Sequence, residues 1–160
     1  MYAVLDGARD PRIPARVDAS ISESLSLYAG PLAPELARVA PRLVRLFPDD
    51  ALCRAILDDG WGQAWGVFLH SEAAPASVCR HLRRLLLVHD AGGQLLVFRW
   101  YDPRVLRSYL PTCTREELRE VFGPVRAYLL EDDDPAALLR FEFAADDRLV
   151  CTRVALASVR

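Results

Sequence analysis

Residues 85–100 read LLLVHDAGGQLLVFRW, two apolar runs on either side of Asp90-Ala91-Gly92-Gly93. Apolar runs of this length around a glycine-bearing turn predict an antiparallel hairpin, so the fold must contain β-structure. The second strand runs straight into FRWYDPRVL, residues 98–106, where three aromatics, two arginines and a carboxylate stand together. Such a run suits a catalytic corner, a binding surface or a strand-to-helix joint.

The joint has the most direct physical support. Asp102 in front of Pro103 predicts a helix start, with Asp102 as N-cap and Pro103 at the first helical position. Val105, Leu106, Tyr109 and Leu110 then make an inward stripe, leaving Arg104 and Arg107 outward. Strand alternation before the joint would place Phe98 and Trp100 on one face, Arg99 and Tyr101 on the other. Arg99, Tyr101, Arg104 and Arg107 thus form a candidate protein-recognition surface, unless the arginines pair with acids of their own chain.

Elsewhere the pattern predicts short elements. Tyr2 to Leu5 reads as a strand stopped by Asp6-Gly7, and residues 11–24 allow one short helix. Leu25 to Tyr28 and the stretch containing Leu43, Val44, Leu46 and Phe47 read as strands between prolines. Asp49 or Asp50 caps a helix through Leu57, with Leu52, Cys53, Ile56 and Leu57 on one face and Gly60 as its left-handed end. WGQAWG, residues 61–66, is a glycine-loosened loop feeding a strand from Trp65 to Leu69. Pro75 opens a helix with Val78, Cys79, Leu82 and Leu85 inward and Arg80, His81, Arg83 and Arg84 outward.

Thr114 and Glu117 make a capping box ahead of Leu118, Val121 and Phe122, and Gly123-Pro124 stops that helix. Val125–Leu130, Leu138–Phe143 and Arg148–Leu156 read as sheet strands. The fold expected is one mixed α+β domain with a mixed or antiparallel sheet, hairpins and several short helices.

Composition narrows the function classes. The chain has 160 residues, 52% of them hydrophobic and 26% charged, as in a folded globular domain. Twenty basic residues face 22 acidic ones, giving a net charge of −2, which argues against a general affinity for nucleic acid. All the basic residues are arginine, the cation favoured at protein interfaces; a GC-rich genome would produce the same bias without function. MYAVLDGARDPR has no basic segment followed by an apolar run, and no apolar stretch approaches the ~20 residues of a membrane span. A cytoplasmic protein without membrane association is expected.

Motifs for chemistry are sparse. His70, His81 and His89 have no metal-ligand spacing, and Cys53, Cys79, Cys113 and Cys151 are far apart. The cysteines read as small buried hydrophobes. The acidic runs Asp58-Asp59, Glu131–Asp134 and Asp146-Asp147 are expected in solvated turns, and none has a calcium-loop pattern. The nucleophile-elbow, Walker and dinucleotide fingerprints are missing. No metal or cofactor is expected, and catalysis would need an unrecognised Cys/His or carboxylate site, as in a small hydrolase or transferase.

Several segments occur in a telling order: YAVLDGARDP (2–11), LYAG (27–30), VAPRLVRL (39–46), WGQAWGVFLHS (61–71), HLRRLLLV (81–88), LLVFRWYDPRVLRSYLPTCTREEL (95–118) and FGPV (122–125). Together they resemble the effector adaptor/chaperone family of bacterial type VI secretion systems, with FRWYDPRVLRSYLP the most specific element. The resemblance spans roughly residues 2–130. It implies an adaptor core over 1–130; the alternating runs in 131–160 read as a C-terminal strand hairpin packing on that core, or as the start of a variable C-terminal region. It also implies a non-enzymatic cytoplasmic protein that binds a cognate effector and helps load it onto a VgrG-type spike. The family supplies no assigned binding residues. The candidate contacts are therefore those read from the chain itself: Trp61 and Trp65 in the loop, Arg80, Arg83 and Arg84 on the helix, and Arg99, Tyr101, Arg104 and Arg107 at the joint. Trp61 and Trp65 are equally eligible as core aromatics.

Overall fold

In chain order, the computed structural model, which describes residues 1–48, 50–89 and 92–156, has strands β1 (Tyr2–Leu5), β2 (Ser24–Ser26), β3 (Arg42–Arg45), β4 (Gly66–His70), β5 (Leu87–His89), β6 (Leu95–Val97), β7 (Ala127–Glu131), β8 (Ala137–Phe143) and β9 (Leu149–Ala155). The helices are α1 (Arg12–Ala19), α2 (Pro34–Val39), α3 (Ala51–Ala55), α4 (Pro75–Arg84), α5 (Pro103–Tyr109) and α6 (Arg115–Phe122). Seven strands form one sheet in the order β2-β3-β1-β4-β7-β8-β9, and β5 and β6 pair separately. Each of these pairings is antiparallel. The mixed α+β class read from the sequence is thus the observed one, with an antiparallel sheet in a single domain.

Register sorts the apolar residues by face. Val4 stands opposite Leu43 and Val67, and Leu69 opposite Tyr2 and Tyr128. These side chains share one face, packed beneath Val78 and Leu82 of α4, Leu106 of α5, and Leu118, Val121 and Phe122 of α6. On the other face Ala3, Leu5 and Val44 meet Ile13 and Val17 of α1 and Leu52 and Ile56 around α3, with Trp65 among them. α1 and α3 cover this second face only near β1 and β3. Over β4, β7 and β8 it stays open.

Helix starts follow local side-chain chemistry. Asp50 accepts the Leu52 N–H at 3.1 Å to cap α3; Asp49 lies outside the described residues. Thr114 and Glu117 form the reciprocal capping box of α6, and Gly123 ends it at φ +45°. Pro75 and Pro103 each open a helix.

Four local expectations are corrected. The helix from Asp50 does not run regularly to Leu57: α3 ends at Ala55 and widens into a π-turn over Ile56–Gly60. That turn swings Leu57 outward, and Phe47 beyond β3 is likewise exposed. Gly60 is not left-handed; it makes room, since a Cβ there would sit 2.7 Å from the Trp65 ring. In the loop that follows, the positive-φ positions are Gly62 and Ala64. Finally, alternation does not continue through FRWY. β6 ends at Val97 and residues 100 and 101 lie in a turn, so Trp100 and Tyr101 both point into the core.

The hairpin appears where the sequence placed it, although Asp90 and Ala91 of its turn lie outside the described residues. Among the described residues no helix is long and apolar enough to cross a membrane.

Candidate partner-binding surfaces

At the joint, the arginines meet the chain's own acids. Asp102 is buried, caps α5 through the Arg104 N–H at 3.0 Å, and accepts Arg104 Nε and Nη2 at 3.0 and 2.6 Å. Burial pushes its carboxyl pKa up, but the side-chain and backbone bonds from Arg104 outweigh that and hold it below the usual range. Arg99 pairs with Asp6, a buried carboxylate just past β1 that also accepts the Ala8 N–H at 3.1 Å. Arg107 pairs with Asp133 and donates to the Glu131 carbonyl at 3.3 Å. Tyr101, expected on the surface, is buried; burial and then the neighbouring Tyr28 hydroxyl raise its phenol pKa. The joint is therefore cross-braced from within.

Stripping Arg99 leaves Asp6 buried with less compensation, a costly arrangement moderated here because the arginine is half exposed. Arg99→Ala combined with Arg104→Ala is expected to lower stability by about 1–3 kcal/mol, or several degrees in melting temperature. A thermal melt of the double variant that matches the parent would show that the braces carry no stability.

The two loop tryptophans part company. Trp65 is 2% exposed and packs in the second core cluster, with the Arg12 guanidinium 5.1 Å from its ring centroid. It is a core residue, which removes it from the contact surface. Trp61 is half-buried; its indole N–H donates to the Pro135 carbonyl at 2.7 Å, and its ring lies 6.2 Å from that of Phe68. Glu131, expected in a solvated turn, is instead buried at the end of β7. It accepts the Ala64 N–H at 3.1 Å, helped by the Gly62 N–H, and so anchors the loop. Burial raises its carboxyl pKa against the pull of these bonds.

Trp61 walls a groove of about 690 Å³ on the open half of the second sheet face. Phe47, Leu57, Phe68, Leu129 and Leu138 are among its other walls, which are overwhelmingly apolar. Nothing in the periodicity announced it, because it forms from the outward swing of Leu57 and Phe47 against β4 and against β7 and β8, the last two more than 60 residues away.

The second surface lies around α4. Arg80 is exposed, Arg83 donates to the Ser26 carbonyl at 2.8 Å, and Arg84 donates to His81 Nδ1 at 3.2 Å. His81, expected outward, is buried between α4 and α6 with Nε2 3.1 Å from the Val121 carbonyl. Since arginine only donates, Nδ1 accepts and Nε2–H donates, a neutral ring in keeping with a pKa lowered by burial. Beside α4, the β5–β6 hairpin leaves Leu87, Val88, Leu95, Leu96 and Val97 exposed, between 37% and 57% each. The sequence signal was present: LLLV and LLVF do not alternate, so neither face of the ribbon is a polar solvent face.

Neither surface carries an activated nucleophile. Desolvation pushes the thiols of Cys53, Cys79, Cys113 and Cys151 up, away from thiolate character. Both ring nitrogens of His81 are engaged. Among the described residues no group of three or more His, Cys, Asp or Glu side chains converges as a metal site.

Fold and surfaces together define a one-domain α+β protein built on an antiparallel sheet and bearing two open apolar surfaces. The chain belongs to the family described as Domain of unknown function (DUF4123), whose model matches residues 1–120. No curated protein and no solved structure matches it. The hairpin surface lies wholly inside the matched residues, whereas Leu129 and Leu138 of the groove lie beyond them.

Proposed function

We propose that this protein is a non-catalytic adaptor/chaperone of the bacterial cytoplasm. It binds a cognate type VI secretion effector and promotes that effector's loading onto a VgrG-type spike. The observation that carries this reading is the pair of separate apolar surfaces, the sheet-face groove and the hairpin. Exposed apolar patches of this kind mark protein contacts in soluble domains, and an adaptor needs two. Family membership supports the reading through the resemblance of the FRWYDPRVLRSYLP run and its companions to effector adaptors. The raised thiol pKa values and the fully engaged His81 favour binding over cysteine catalysis. Nucleic acid and membrane have no part in the proposed role.

The test is co-purification of the tagged chain with the effector and the spike protein encoded beside it. Retention of both is the expected result, and failure of both to bind overturns the proposal.

A further inference from the structure

The β5–β6 hairpin stands outside the main sheet, and two-stranded ribbons are marginal on their own. Its register puts Leu87, Val97 and Leu95 on one face and Val88 and Leu96 on the other. The first face closes a groove of about 480 Å³, floored by Leu27 and Leu86 and walled opposite by Leu32 and by Leu36 of α2. α2 itself buries no residue, and Leu36 is 45% exposed. Two elements are thus held apart, each offering aliphatic side chains to the space between.

Charge decides what fits. Among the described residues, Arg83 is the charged one that lines the groove. Arg80, one turn back on α4, is exposed on the same side, whereas Arg84 turns to His81, so the rim there carries two cations. Glu35, next to Leu36 on α2, is the acid on the opposite wall; Asp90 of the turn lies outside the described residues. A second copy docked rim to rim would meet like charge, whereas one turned to set the arginine rim against Glu35 would not, so a self-dimer is an outcome that the test has to separate. An amphipathic helix meets both demands, burying an apolar stripe at i, i+3, i+4 and i+7 in the groove while its flanks face the arginines.

We propose that this groove docks a helical segment of a partner protein whose apolar stripe is flanked by aspartate or glutamate. The inference rests on the adaptor reading and states the chemistry of one of its partners.

Two fluorescently labelled synthetic peptides of about 18 residues test it, both with leucines at those helical positions. One carries glutamate on the flanks and its twin carries lysine. In anisotropy titrations of the whole chain, the glutamate peptide is expected to bind about 10-fold tighter or more, with the gap narrowing as salt rises. Arg80→Glu with Arg83→Glu should reverse the preference. Leu87→Glu with Val97→Glu should abolish binding while the circular dichroism melt is retained, since both side chains are exposed.

Equal binding of the twins, or binding of neither, overturns the inference. So does a concentration-dependent dimer that Val97→Glu dissolves. If the hairpin variant still co-purifies with effector and spike, the adaptor reading stands and the docking inference falls. If it loses one of them although neither peptide binds the parent, the hairpin is a contact but the acidic-helix chemistry is wrong. Loss of both partners from the parent chain defeats the adaptor reading itself.

Discussion

Trp65→Ala is expected to remove about 3–5 kcal/mol of stability, the range for truncating a buried tryptophan. Domains of this kind have about 5–15 kcal/mol in total, so much of the margin disappears. For a chain of this size the melting temperature should fall by roughly 6–20 °C. The cause is specific. Trp65 fills the second core cluster between β1, α1 and α3, and Gly60 is kept small to lie against its ring. Trp61→Ala, four residues earlier, removes one hydrogen bond and a partly exposed contact with Phe68, so about 1 kcal/mol is expected. Thermal melts of the pair separate the roles. If Trp65→Ala melted like the parent yet lost a partner, the tryptophan would belong to the binding surface after all.

Gly66→Ala should be nearly as damaging, by about 3 kcal/mol or more, at the upper end of overpacking costs. A Cβ at Gly66 would lie 1.9 Å from the Val4 carbonyl oxygen and 3.0 Å from the Leu5 Cα. These are backbone atoms of the strand paired with it, and they have no rotamer through which to yield. The clash falls beside the bond from the Asp6 N–H to the Trp65 carbonyl at 2.8 Å, in the middle of the sheet. Loss of soluble protein, or a large drop in the denaturant midpoint, is the expected readout. A melt within 2 °C of the parent, less than about 1 kcal/mol, would mean that Gly66 does not face Leu5 in the paired register.

What could be read in the chain beforehand was what its near neighbours decide. Strand β1 stops at Asp6-Gly7, and α5 and α6 start where Asp102 and the Thr114/Glu117 pair reach backbone N–H groups two or three residues away. The misreadings share another cause. Glu131 is buried by a loop 67 residues distant, and Arg99 is turned toward Asp6 across 93 residues. No local period encodes such pairings. His81 has the spacing of an outward residue on α4, yet Gly123 and the Val121 carbonyl close over it from α6. The joint itself was legible as a helix start, while the destination of its arginines was not. The hairpin was legible as a hairpin; the open groove beside it depends on where α2 and the 27–32 segment settle.

The Trp61 and Glu131 contacts also bear on what the residues beyond the family-matched stretch control. The loop that walls the sheet-face groove hangs from Glu131 and Pro135, both of them past the residues matched by the family model. Rewriting the chain from there onward would reshape the groove's wall and replace Leu138, while the hairpin surface stayed as it was. The sheet-face groove is thereby shaped in part by residues outside the family-matched stretch, and the hairpin surface wholly by residues inside it.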